Sequence, residues 1–255
     1  MKRLVIIPVS ALLFATSLYS CKKSSSSTPT PTPTPTTTST PTPTTGDVDG
    51  ALISLKIDVA TAVAGVTYTI TTETGVATFF PSAGNHGTYV DGGAVTVNTV
   101  ALEKQTNNSY TKTATTGQTP ADLSFDGGSS WTVAGNGSVP AFTYSHTAAF
   151  PTFTGDIPAS ITRSAGLTIT LSGNVSGADS VIVLIAAGTK SVTHTVGGSA
   201  SSVTFSASDL AVFSTVTDNT AILEVDPYRL TVKAEGGKNY AFVKERAVVK
   251  NININ

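Results

Sequence analysis

The sequence predicts an all-β protein made of two β-sandwich domains, and three observations favour this fold class. Threonine, serine, glycine, alanine and valine dominate the chain, whereas only 12% of its residues are charged. β-branched residues favour strands, and glycine and asparagine favour the turns between them. Short segments with strand character recur at intervals of about 8 to 14 residues after residue 47, and no segment has the apolar spacing of a long helix.

The predicted strands fall into two groups along the chain. In the first half they are 53–59, 66–71, 95–102, 109–114, 131–134 and 142–146. In the second half they are 159–163, 167–171, 180–186, 191–196, 202–205, 221–225, 230–234 and 240–249. Residues 181–185 are apolar at every position, which predicts a central strand covered on both faces. One helical turn is predicted over 208–213, with Ser208 as its N-cap.

The region from residue 47 to residue 255 is long enough for two domains of about a hundred residues each. Residues 150–158 contain two prolines, which break regular structure. We therefore predict an N-terminal β domain over 47–150 and a C-terminal β-sandwich over 151–255. The second domain, with its seven or eight short strands, resembles the immunoglobulin-like and fibronectin-type sandwiches of bacterial surface proteins, although its sequence has no cysteine pair and no tryptophan.

Residues 1–20 have the pattern of a signal peptide. Lys2 and Arg3 precede an uncharged, largely apolar stretch of about 15 residues, shorter than the roughly 20 that a permanent membrane-spanning helix needs. The stretch ends in Leu18-Tyr19-Ser20-Cys21, which resembles the lipobox of bacterial lipoproteins. The resemblance implies cleavage before Cys21 and acylation of this residue, the only cysteine of the chain. The alternative is an ordinary secretory signal followed by a spare thiol.

Residues 21–46 are predicted to be a disordered linker behind the lipidated cysteine. Every residue from Ser24 to Thr45 is serine, threonine or proline, so the segment has no apolar side chain to bury. In the polyproline II conformation it would reach about 70 Å. Both an O-glycosylated stalk and an unmodified spacer fit this composition.

The order of these segments is similar to that of lipoproteins of the Bacteroidota, in which Ser-Cys-Lys-Lys-Ser is a common sequence after the signal. This resemblance implies an outer-membrane protein anchored by lipid, on the cell surface or on the periplasmic face. Positions 22 and 23 are lysines, whereas surface-exported members typically have an acidic cluster there. The sequence therefore does not decide between the cell surface and the periplasmic face of the outer membrane.

The charge distribution argues against nucleic-acid binding. All sixteen acidic residues follow the linker, together with eleven of the fifteen basic residues, which leaves the β region with a net charge of −5. Such a region repels phosphate backbones.

The residues that catalysis or metal binding requires do not occur in a recognisable pattern. His86, His146 and His194 are far apart in the sequence, and none has a metal-ligand spacing or lies near a nucleophile turn. Two aspartate-containing loops, 47–50 and 122–128, suit either Ca²⁺ binding or ordinary turns. We predict no metal site, no cofactor and no catalytic residue.

The expected function is therefore a non-catalytic binding, adhesion-type or structural module of the cell envelope, with an envelope protein as its partner. One alternative is an accessory glycan-binding lipoprotein of a polysaccharide-uptake system. Another is an enzyme with two facing carboxylates, as in glycoside hydrolases. An open strand edge would favour protein contact, whereas aromatic side chains exposed in a groove would favour glycans.

Two candidate sites follow from local patterns. Trp131 lies on one face of a strand, and Phe142 and Tyr144 lie on one face of the next, so the hairpin has one aromatic face. This face is either core or a platform for sugar rings, and the scarcity of aromatic residues favours the core. Asp179-Ser180-Val181 resembles the short O-glycosylation sequon of Bacteroidota envelope proteins, which makes Ser180 a possible modification site.

Overall fold

The structure is a computed structural model that describes residues 48–63, 66–115, 122–216 and 220–255. The predicted signal peptide, Cys21 and the linker lie outside the described residues. No helix in the described part of the chain is long and apolar enough to span a membrane.

The described residues form an all-β structure, which confirms the predicted fold class. The strands are β1 (Gly50–Val63), β2 (Val66–Phe79), β3 (Val95–Val97), β4 (Val100–Ala101), β5 (Glu103–Lys104), β6 (Tyr110–Thr113), β7 (Ser129–Val133), β8 (Phe142–His146), β9 (Thr152–Phe153), β10 (Ser160–Ile161), β11 (Leu167–Thr170), β12 (Val175–Ser176), β13 (Ser180–Ala187), β14 (Lys190–Gly197), β15 (Ser202–Phe205), β16 (Thr220–Glu235) and β17 (Lys238–Ile254). A short helix, α1 (Ala207–Leu210), and 3-10 turns at Arg163–Ala165 and Ala211–Thr215 complete the elements of the described ranges.

One nine-stranded sheet joins the two halves of the chain. Its strand order is β14-β13-β16-β17-β1-β2-β6-β5, with β10 also paired to β17. β1 runs parallel to β17, from Gly50 opposite Tyr240 to Val59 opposite Val249. The sheet thus crosses the boundary expected near residue 150, and the division into two domains stays a prediction.

Smaller sheets cover the two ends of one face of this large sheet. The four-stranded sheet β4-β3-β7-β8 encloses an aromatic core that includes Phe79, Trp131 and Phe242. The β11–β15 pair and α1 enclose a second core, which includes Val183 and Phe205. Burial of these side chains is the main favourable term in folding, so the two layers form a sandwich with these two cores on one face of the large sheet, while a further apolar cluster that includes Leu55 and Val243 is buried on the opposite face.

Several predicted elements have the expected bounds and others need correction. The segment 95–102, predicted as one strand, forms the two antiparallel strands β3 and β4. β8 and β15 agree with the predicted ranges, and residues 181–185 of β13 are all buried between β14 and β16. The segments 221–225 and 230–234, predicted as two strands, are parts of the single strand β16. The helix cap is Ser206 instead of Ser208, because Ser206 and Asp209 form a capping box.

Candidate functional site

The aromatic face of the β7–β8 hairpin is core, so the alternative of a sugar platform is not realised. Trp131 is fully buried and Phe142 is 7% exposed, while Tyr144 is partly buried and packs on Phe242 with ring centroids 4.0 Å apart. The physical reason is that the hairpin covers one end of the large sheet, so its apolar face turns inward.

Ser180 lies at the start of an interior strand. It is half-buried, and its backbone pairs with Gly197 of β14 on one side and Tyr228 of β16 on the other. The preceding Asp179 accepts a hydrogen bond from the Leu230 N–H at 2.8 Å. Glycosylation of Ser180 stays a prediction. It would require that the modifying enzyme reach the half-buried Ser180 hydroxyl at the start of β13.

The aspartates of the two candidate Ca²⁺ loops have protein donors as partners. Asp49 accepts a hydrogen bond from the Asn239 N–H at 3.0 Å. Asp122 accepts two from Thr115, one from its N–H and one from its hydroxyl, each 2.7 Å long. These bonds hold the pKa of Asp122 well below its usual range. Within the ranges that the structure describes, no group of three His, Cys, Asp or Glu side chains could hold a metal ion.

The three histidines lie in different parts of the fold. His146 is buried on β8 with Nε2 3.4 Å from the Thr231 hydroxyl, and burial and two nearby cations lower its pKa to about 4. His194 lies on β14 with Nε2 3.7 Å from Asp209 Oδ2. His86 packs against Phe80. They form no shared site.

A buried polar layer, which the sequence did not reveal, lies between the two cores. Lys56 Nζ is 2.8 Å from Glu73 Oε1 and 2.7 Å from Asp126 Oδ1. Lys244 Nζ donates to the Ala148 carbonyl at 2.6 Å, and both ammonium groups lie over the Phe150 ring. Ser54, Lys56 and Asp58, at alternate positions of β1, are all buried on this side of the strand.

Lys244 of this layer has a structural role. Burial, together with the charge of Lys56, lowers the pKa of Lys244, a property that activates amines as nucleophiles. Lys244 is only 1% exposed, however. An enclosed amine of this kind cannot meet a substrate in this conformation.

Three carboxylates are buried on the opposite face of the large sheet. Glu224 and Asp226 lie two residues apart on β16, and Glu245 lies on the neighbouring β17. Burial and repulsion by Glu224 raise the pKa of both Asp226 and Glu245 well above the usual values. Burial of these side chains next to each other favours the protonated form of Asp226 and Glu245.

Among the described strands, the large sheet has an unpaired edge along β2 over residues 66–72, here called the free edge. β6 pairs only with Thr74–Ala77 of β2, and no other described strand pairs with that side of β2. Tyr68 and Ile70 on this segment are 52% and 48% exposed, among the largest exposures of any big apolar side chain in the described residues.

The backbone groups of the free edge have a defined direction. The Glu73 carbonyl accepts a hydrogen bond from the Ala114 N–H and therefore points away from β1. Backbone direction alternates along a strand, so the N–H and C=O groups of residues 67, 69 and 71 also point outward. The free edge thus presents a row of outward donors and acceptors.

The two terminal strands of this sheet, β5 and β14, both contain charged residues. β5 is only two residues long, and both Glu103 and Lys104 are charged. β14 begins with Lys190 and lies beside α1 through the contact of His194 with Asp209. Short length, charge and covering elements are the usual protection of sheet edges. The free edge has neither a charged residue nor a proline.

Comparison with known proteins gives no relative: no family model, no curated protein and no solved structure matches the chain. The sequence predicted a strand at 66–71 but not its position at an edge. The one available signal was its uncharged Val-Thr-Tyr-Thr-Ile-Thr-Thr alternation, which differs from the charged edges elsewhere in the chain. The function therefore rests on the geometry of this edge.

Proposed function

We propose that this chain is a lipid-anchored envelope protein whose β body is a non-catalytic protein-binding module, and that partners bind by adding a strand to the free edge. The observation that supports this most directly is the uncharged edge of β2 with Tyr68 and Ile70 exposed. In strand addition, main-chain hydrogen bonds supply affinity and alternate side chains supply specificity.

The anchor is tested separately from the binding edge. Cys21→Ser removes the acylation site that the lipobox resemblance implies, so the protein should move from the membrane fraction to the soluble fraction of cells. Fractionation followed by immunoblotting measures this shift. Mature Cys21→Ser protein that still requires detergent for extraction would contradict the lipoprotein assignment.

The binding edge is tested with two substitutions at one position. Thr69 is exposed and its N–H points outward, so Thr69→Pro removes an outward donor and places a ring in the path of an incoming strand. Thr69→Val is the matched control, because it keeps the N–H and the β-branched shape.

The readout is the size of the complex that the full chain forms in envelopes solubilised with mild detergent. Native electrophoresis should show wild-type and Thr69→Val protein in a larger complex and Thr69→Pro protein as a monomer. Equal migration of all three proteins would rule out binding through the free edge. Emission of the sole tryptophan, Trp131, checks that each variant is folded.

Neither alternative function gains a specific observation. Glycan binding was expected to use an exposed aromatic face, but Trp131 lies in the core. Catalysis would need an accessible activated group, and the amine of Lys244 is enclosed.

A further inference from the structure

Antiparallel pairing at the free edge is constrained by the direction of its backbone groups. The backbone N–H and C=O groups of residues 67, 69 and 71 point away from β1. These residues are an even number of positions from Glu73, whose carbonyl accepts a hydrogen bond from the Ala114 N–H just after β6. In an antiparallel ladder an outward-pointing residue must face an outward-pointing residue of the other strand, and each such pair exchanges two hydrogen bonds. An incoming antiparallel strand whose outward-pointing residues face these three residues would therefore form about six hydrogen bonds with them.

The free edge is complementary to itself in this arrangement. A two-fold axis at Thr69 places this residue opposite its own copy, and residue 67 opposite residue 71. The intervening pairs then bring Tyr68 opposite Ile70 on both sides of the axis. These are non-hydrogen-bonded pairs, in which side chains are closest, and aromatic residues pair well with β-branched ones there. The two-fold interface thus covers Tyr68 and Ile70 of both copies.

The charges near the edge also permit this contact. Residues 66–72 contain no charged side chain, so the two copies bring no like charges together within the ladder. The two carboxylates beside the edge are paired with cations. Glu73 is 2.8 Å from Lys56, and Asp58, which accepts a hydrogen bond from the Thr71 hydroxyl, is 2.7 Å from Arg246. Two-fold pairing of identical patches is also the commonest way in which soluble proteins form dimers.

We propose that the partner of the free edge is a second copy of this chain, paired antiparallel through β2 about a two-fold axis at Thr69. This inference rests on the proposed function and names its partner. The dimer joins two nine-stranded sheets into one continuous sheet. Anchoring of both copies in one membrane raises their local concentration and favours the contact.

The proposal is tested by charge complementation at residue 69. In the two-fold register a lysine introduced by Thr69→Lys faces the same lysine of the other copy, and Thr69→Glu behaves likewise. Like charges directly opposite each other destabilise a strand pair, whereas opposite charges stabilise it. Each variant alone should weaken dimerisation by up to about fivefold, and an equimolar mixture of the two should restore it.

The measurement is analytical ultracentrifugation of the full chain in detergent over a range of concentrations. Thr195→Lys on the exposed side of β14 is the matched control and should leave the dimer unchanged. A second measurement uses Thr69→Cys. Facing residues of a hydrogen-bonded pair have Cα atoms about 5.5 Å apart, within the range of a disulfide, so oxidation should link two copies.

The outcomes separate this inference from the function on which it rests. A wild-type chain that stays monomeric, or charge variants that do not restore the dimer on mixing, would refute self-pairing about Thr69. If Thr69→Pro still dissociates the envelope complex in that case, the partner is a foreign strand and the proposed function stands. If Thr69→Pro changes neither property, both proposals fail.

Discussion

Removal of the Trp131 side chain is expected to cost the protein much of its stability. The side chain is fully buried between β3 and β8, and a methyl group at Gly75 of β2 would lie only 3.7 Å from its Cη2 atom. A buried tryptophan removes about 200–250 Å² from water, worth about 5–6 kcal/mol at 25 cal/mol per Å². Because unfolded chains already bury part of this area, we expect Trp131→Ala to lower the free energy of unfolding by about 3–5 kcal/mol.

The assay is urea unfolding followed by far-UV circular dichroism, since the variant has no tryptophan left to report. Trp131→Phe, which refills most of the space, is the control and should cost clearly less than the alanine variant. The wild-type indole should emit at short wavelength and resist quenchers. A loss below about 1 kcal/mol for Trp131→Ala, with an unchanged urea dependence, would refute its place in the core.

Three further predictions concern pH and modification. Burial and the nearby charges of Lys244 and Arg229 lower the folded pKa of His146 from 6.5 to about 4, so stability should fall by up to roughly 3 kcal/mol as pH drops through that interval. His146→Gln should flatten this slope in urea titrations, and an unaltered slope would contradict the assignment. Asp226 has a raised folded pKa, so its contribution weakens as pH rises above 3.8 towards that value. Asp226→Asn should therefore raise the melting temperature at pH 8, and a lower one would count against a protonated carboxyl. Glycosylation at Ser180 predicts added mass on the peptide that spans it, and an unmodified peptide from natively produced protein would disprove it.

Local patterns predicted the elements of the fold better than their arrangement. Residues 181–185 are apolar on both faces and form the buried centre of β13. The period-two spacing of Phe142 and Tyr144 likewise identified one aromatic face of a hairpin, and the structure turns that face inward. Such features depend on neighbours within a few residues, which the sequence displays directly.

Features that depend on distant segments could not be read in this way. The segments 221–225 and 230–234 were predicted as separate strands, yet β16 continues through Pro227 between them. The ladder to β17 has no pairs at residues 226 and 227, while β13 still pairs there. Likewise, no local pattern indicates that Lys56 of β1 is buried, because its contacts with Asp126 and Phe150 come from segments far along the chain. The free edge itself is defined by where β6 ends, and no local pattern fixes that length.

The parallel pairing of β1 with β17 has a consequence for the order in which the protein can fold. Gly50 of β1 pairs with Tyr240 of β17, so β1 has no neighbour on that side until a segment about 190 residues further along the chain has been synthesised. Contacts between segments so far apart also form slowly. Under the proposal that residues 1–20 direct export, this late pairing would keep the chain unfolded and competent for translocation until β17 is available to complete the sheet.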